Sequence, residues 1–298
     1  MAIANVNGVD IYYETQGRGE PVLLVPPSWW PCATWNVIVV PILSRRYRTI
    51  IYDGRGTGRS GKPRDGYTVR QFAADGTELL KQLGVGRCHV VGFAIGGQIV
   101  QAMAIERPDL IASLTIATTG PGSRRLDGTS REVGPEALQD IEKIGFEKYI
   151  RTHIDNDHMA YNPDYYRNHR EVAASLAEAL WSGQSTVEQY HIHEQARLSW
   201  NTLAEAPKVK VPTLVLCGAD DGVERRGSTP VATAKMLAPL IPGSELALIP
   251  KIRHMTFWDG DGALIALLDF LNRHPIRCEI GSDSIAMDVK KAKEKGRV

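Results

Sequence analysis

The stretch that most constrains this chain is Val90-Val91-Gly92-Phe93-Ala94-Ile95-Gly96-Gly97. A β-branched run meets a cluster of glycines. Apolar residues then recur at Ile99, Val100, Met103 and Ala104, at helical spacing. The pattern reads as a strand, a tight turn and a helix, because side chains alternate along a strand and share a face three and four apart along a helix. Glycines around the turn let the two backbones approach closely. The central side chain, Ala94, is then lifted above the edge of a sheet. A buried strand feeding a helix in this way belongs to an α/β fold with a mostly parallel central sheet flanked by helices.

The remaining chain repeats the theme. Val6-Asn7-Gly8-Val9-Asp10 reads as an opening hairpin on an Asn-Gly turn, with Ile11 to Thr15 as its second strand. Continuous apolar runs mark buried strands at Pro21–Val25, Arg48–Asp53, Ile111–Ala117, Thr213–Cys217 and Glu245–Ile249. A helix-like segment lies around Trp35 to Leu43. A second helix opens at Thr68, with Gln71 at the capping-box position, and ends at Gly84. Helices are expected again around Ala232 to Leu240 and Ala263 to Leu271. Between Ser123 and Ala206 strand alternation gives way to helical periodicity, with Leu138, Ile141, Ile144, Phe146, Tyr149 and Ile150 in one run. The expected organisation is a core of residues 1–122 and 207–275, a helical lid over residues 123–206, and a tail over 276–298 whose basic end is solvated.

Several function classes fall away. The formal net charge is +1, which gives no bulk electrostatic case for nucleic acid or a membrane surface. No basic leader with an apolar run opens the sequence, and no apolar stretch reaches spanning length. The four cysteines, Cys32, Cys88, Cys217 and Cys278, have no metal-ligand spacing and read as reduced thiols of a cytoplasmic protein. Gly54-Arg55-Gly56-Thr57-Gly58-Arg59-Ser60 lacks the spacing of a dinucleotide or phosphate loop. Histidines are dense in the lid, yet His191 and His193 fall on different faces of a helix, so no metal is expected. The expected partner is a small molecule, with no cofactor; a homodimer is compatible with the sequence.

Three strand exits carry the chemistry. Ala94 leaves the strand at Val90-Val91, Asp221 follows Gly218-Ala219-Asp220, and His254 follows the last strand. Gly-x-Ala-x-Gly has the spacing of a nucleophile elbow, Gly-x-Ser-x-Gly, without the hydroxyl. The order elbow, acid, histidine is the α/β-hydrolase order.

On these residues the chain resembles the α/β-hydrolase superfamily, over about residues 5 to 275. Within it the chain is similar to 3-oxoadipate enol-lactonase and related ester, lactone and carbon–carbon bond hydrolases. The carrying stretches are Tyr52 to Ser60, Tyr67-Thr68 with Ala74-Asp75, Pro108 to Leu114, Gly218 to Asp221 and Arg253-His254-Met255. The resemblance implies a serine at position 94, with His254 as base and Asp221 as its partner. It also implies an oxyanion hole from the backbone N–H groups of Ser28 and Ile95. Where the family has His-Gly after the first buried strand, this chain has Pro26-Pro27, and proline has no N–H to donate. Trp29, Trp30, Phe93 and Trp181 are the candidate substrate-binding side chains, for an apolar or ring-containing molecule.

Ala94 itself admits three explanations. The leading one is a hydrolase whose serine has been replaced, leaving a site that binds but does not cleave. The second is an enzyme that uses the His254–Asp221 pair as a base with no nucleophile, as cofactor-free dioxygenases and some lyases of the superfamily do. The third is a ligand-binding protein that kept the cleft.

Overall fold

The computed structural model describes residues 2–27, 29–122, 135–156, 160–222 and 229–276. Eight strands form one sheet: β1 (Ala2–Val6), β2 (Val9–Gln16), β3 (Pro21–Val25), β4 (Arg48–Tyr52), β5 (Cys88–Phe93), β6 (Ile111–Ala117), β7 (Thr213–Gly218) and β8 (Glu245–Ile249). Their order across the sheet is β1-β2-β4-β3-β5-β6-β7-β8. β1 and β2 form the expected hairpin, with Asn7 and Gly8 both at positive φ. β2 lies antiparallel to β4, and every pairing from β4 onward is parallel. All residues of β5, β6 and β7 are buried, as strands covered on both faces must be.

The alternation of a strand divides the core in two. Leu23 and Val25 of β3 point into one layer, Val22 and Leu24 into the other. The first layer holds residues of α2 (Val69–Gln82), α3 (Ile95–Glu106) and α9 (Pro230–Leu237). The second holds residues of α1 (Val39–Leu43) and α10 (Gly262–Arg273) with the aromatic group Trp35, Phe257 and Trp258. The expected helix around Trp35 to Leu43 is a 3-10 turn over Cys32–Val37 followed by the short α1. At Thr68 only half of the expected capping box forms. The hydroxyl accepts from Gln71 N at 3.1 Å, but the Gln71 amide turns instead to Asp75 Oδ1 at 3.0 Å. That carboxylate is buried and carries Arg55, Asn7 and Gln71, so it outcompetes a solvent-facing backbone N–H.

Between β6 and β7 lie five helices among the described residues: α4 (Pro135–Ile144), α5 (Phe146–Ile154), α6 (Pro163–Asn168), α7 (Arg170–Trp181) and α8 (Val187–Leu198). The run expected as one helix through Ile150 breaks at Gly145, whose φ is 82°. A full capping box starts α8 at Thr186 and Gln189. This insertion seats on the core through His193 of α8. Its ring is fully buried and stacks on Phe72 of α2 at 5.3 Å, with Tyr67 edge-on. Among the described residues no helix is long and apolar enough to cross a membrane.

The turn between β5 and α3 fixes the geometry of the sheet rim. Ala94 has φ 50° and ψ −117°, a conformation an L side chain rarely adopts. It is held from both sides: its N–H donates to Ala117 O at 2.9 Å, and its carbonyl accepts from Gly97 N at 2.9 Å. The glycines are obligatory here. A Cβ on Gly92 would stand 2.2 Å from Gly96 O, and one on Gly96 would stand 2.1 Å from Val25 O.

Burial pushes the His193 imidazole down to about 4. A folded-state value below the unfolded 6.5 means the unfolded chain binds the proton more readily, so stability falls as pH drops from about 6.5 toward 4. The loss from this residue is roughly 3 kcal/mol. Urea unfolding at pH 7 and at pH 4.5 is expected to show a smaller stability difference for His193→Phe than for the unsubstituted protein. Ala94→Gly releases the positive-φ strain, about 1–3 kcal/mol, against about 0.4–1 kcal/mol of added unfolded-state freedom. The urea midpoint is therefore expected to hold or rise, whereas Gly96→Ala should not fold to the native state.

Candidate functional site

The exits from three parallel strands, β5, β7 and β8, converge at the carboxyl edge of the sheet, where ligands bind in open α/β sheets. Ala94 follows β5. Asp221 follows β7 in a turn closed by its N–H donating to Gly218 O at 3.2 Å. His254 lies in the loop after β8. A tight approach brings the last two together, because Gly218 has no side chain: a Cβ there would meet Ile252 O at 2.3 Å. His254 Nδ1 is 2.8 Å from Asp221 Oδ2. Asp221 is fully buried, and its Oδ1 has no hydrogen-bond partner among the described residues. A buried carboxylate on Nδ1 fixes the tautomer of the ring, so that proton exchange with a ligand runs through Nε2.

The loop carrying His254 is fastened on several sides. Thr256 Oγ1 is bonded to Thr118 Oγ1 at the end of β6, and Thr118 itself has φ 55°. Trp258 Nε1 donates to Thr34 O at 3.2 Å. The Phe93 ring, just before the elbow, lies 5.9 Å from the His254 ring and 5.2 Å from that of Trp258. The imidazole is thus set by packing as much as by its carboxylate.

A cavity of about 320 Å³ opens over Ala94. Trp29, Trp30, Phe93, Ala94, Ile95 and His254 all line it. Tyr149 of α5 and Tyr190 of α8 line it from the helical insertion. Trp29 meets Tyr190 edge-on at 5.3 Å, so the segment after β3 and the insertion close on each other through aromatic rings. The N–H of Ile95 is the first of α3 and lies outside the intrahelical ladder. Ser28, the other expected donor, lies outside the described residues, as do His158 and the tail beyond residue 276. Trp181 is displaced from its expected place. It does not line the cavity but packs edge-on against Phe146, whose ring in turn meets Tyr190, so one aromatic layer separates it from the site.

The structure adds polar side chains that the sequence reading passed over. Glu194 and Arg197 of α8 both line the cavity, and Arg197 Nη2 lies 2.6 Å from Glu194 Oε2. Tyr190, Glu194 and Arg197 stand at i, i+4 and i+7, so one stripe of α8 faces the site. That spacing was present in the sequence as a signal. Gln98, one turn into α3, also lines the cavity, and its buried Oε1 has no partner among the described residues. Among the described residues no cluster of three His, Cys, Asp or Glu side chains could hold a metal ion.

The arrangement can orient an imidazole as a proton acceptor on a cavity that Ala94 also lines. It can also offer backbone N–H at the start of α3 to a developing negative charge.

Comparison with known proteins agrees with this fold. Residues 25–261 match the model of the alpha/beta hydrolase fold family. The putative carbamate hydrolase RutD of Azorhizobium caulinodans is 28% identical, over 83% of this chain and 89% of the relative. A putative non-heme chloroperoxidase of Synechocystis sp. is 27% identical, over 88% of this chain and 95% of the relative. The enol-lactonase of Burkholderia xenovorans LB400 superposes with a TM-score of 0.73 at 24% identity, covering 91% of this chain and all of that one. An eight-stranded, mostly parallel sheet and a family match over most of its length place this chain in the alpha/beta hydrolase fold family.

Proposed function

We propose that the cavity is the acyl-binding site of a serine-type carboxylic ester or lactone hydrolase in which this chain carries Ala94 at the nucleophile position. It then binds a small, apolar or ring-containing acyl compound and cannot complete its cleavage. The observation that carries the reading is the Ala94 backbone, held at φ 50° on the same cavity wall as the bonded His254–Asp221 pair. Strain of that kind marks a side chain presented for contact with a ligand.

With serine at position 94 the chemistry runs as follows. The hydroxyl oxygen attacks the carbonyl carbon while His254 takes its proton. Asp221 holds the imidazole and offsets its positive charge. The N–H groups of Ser28 and Ile95 bond the oxyanion. His254 returns the proton to the leaving oxygen, and water, activated by the same ring, then releases the acid. Loss of the nucleophile costs on the order of 10⁶ in rate, roughly 8–9 kcal/mol of barrier. Substrate contacts survive it. The aromatic wall supports an apolar or ring-bearing body. The Glu194–Arg197 pair and Gln98 support a polar group elsewhere on the same molecule. The name of the Azorhizobium caulinodans relative, a putative carbamate hydrolase, supports widening the acyl class to include carbamates.

A second reading is favoured by the intact pair itself. A base aligned by a buried carboxylate contributes about 10²–10⁴-fold without any nucleophile. Under that reading the Ala94 chain is active as it stands, in proton abstraction from its substrate.

Ala94→Ser separates the two. Assayed on a panel of p-nitrophenyl esters and small lactones, it is expected to gain hydrolysis on the order of 10³-fold or more, and to lose it again with His254→Ala added. An inert Ala94→Ser variant would contradict the leading reading. The second gains if the unsubstituted chain also turns over a substrate in a manner that His254→Ala abolishes.

A further inference from the structure

The Asp259 carboxylate is buried and accepts hydrogen bonds from two distant parts of the backbone. Asn162 N lies 2.8 Å from Oδ1 and 2.9 Å from Oδ2, and Arg253 N lies 2.6 Å from Oδ2. Asn162 is the N-cap of α6, its side chain accepting from Asp164 N and Tyr165 N. Arg253 immediately precedes His254. One carboxylate therefore ties the start of a helix in the insertion to the backbone that carries the imidazole. A parallel tie runs from Met255 N to Ala160 O at 2.9 Å.

We propose that Asp259 is a positioning residue whose carboxylate couples the seating of the helical insertion to the orientation of His254 against Asp221. The nitrogen donors it takes are backbone groups, so their loss would shift chain segments rather than single side chains. Displacing Arg253 turns the next residue, and with it the ring that must meet Asp221 at 2.8 Å.

The consequence for turnover rests on the proposed role of His254 as base. The test does not, because it reads the Ala94 protein without substrate. In ¹⁵N-labelled protein two signals are followed: amide exchange at Asn162 and Arg253, corrected for intrinsic rate, and the Nδ1 proton of His254, assigned by its loss in His254→Gln. In Asp259→Asn, Asn162 exchange is expected to be about tenfold faster or more. The His254 proton signal is expected to broaden or vanish. Asp259→Ala should do the same more strongly if near-ultraviolet circular dichroism shows it folded; Asp259→Asn, of equal size, decides the matter otherwise. Unchanged exchange in a folded Asp259→Asn protein overturns the proposal. So does faster exchange with an unmoved His254 signal, which would leave Asp259 a structural tie only. Failure of Ala94→Ser to hydrolyse esters leaves both readouts standing, so the two readings fail separately.

Discussion

The rest of this structure depends on one close approach of backbones. α3 is laid so tightly against β3 and β5 that Gly96 lies beneath the carbonyl of Val25 and Gly92 beneath that of Gly96. No side chain fits between them. That contact sets where α3 begins, hence where its first N–H groups point, and it forces Ala94 into a positive-φ turn. Hydrogen bonds from Ala94 N to Ala117 O and from Gly97 N to Ala94 O over-determine the turn, which is how a strained residue persists. The cavity is then built on a rigid corner of the sheet.

The second element of the site, His254 on Asp221, is assembled differently. It has no strand of its own. The loop that carries it is held by Thr118 at one side, Thr34 through Trp258 at another, and Asp259 toward the insertion. The carboxylates in this region are both buried and serve different ends. Asp221 accepts from a ring and fixes its tautomer, while Asp259 accepts from the backbone and fixes the loop. Hydrogen bonds replace the water a buried carboxylate gives up, at Asp259 from two backbone N–H groups and at Asp221 from the His254 ring to one of its oxygens.

Much of this was legible in the chain. The eight strands stood out because each is a β-branched or continuous apolar run bounded by Gly, Pro or Asn. Ala94, Asp221 and His254 could be placed at strand exits from order alone, and Phe93, Trp29 and Trp30 at the cavity from their neighbours. What stayed hidden depends on contacts between distant segments. Nothing local tells that the Gln71 amide prefers the buried Asp75 to the Thr68 backbone, or that Phe146 slides between Trp181 and the cavity. Nothing local marks Asp259, because its partner at Asn162 is remote in sequence. Glu194 and Arg197 were readable in principle, as a stripe with Tyr190, but the stripe points inward only once α8 is docked through His193.

The central claim is that a carbonyl carbon sits over Ala94, before the imidazole of His254. The most direct measurement is a crystal structure of the Ala94 protein soaked with a phenyl ester or a small lactone. The account expects intact ligand, its carbonyl carbon within about 4 Å of Ala94 Cβ, and its carbonyl oxygen about 3 Å from Ile95 N. A ligand bound in the cavity with its carbonyl turned away from both Ala94 and His254 would contradict it.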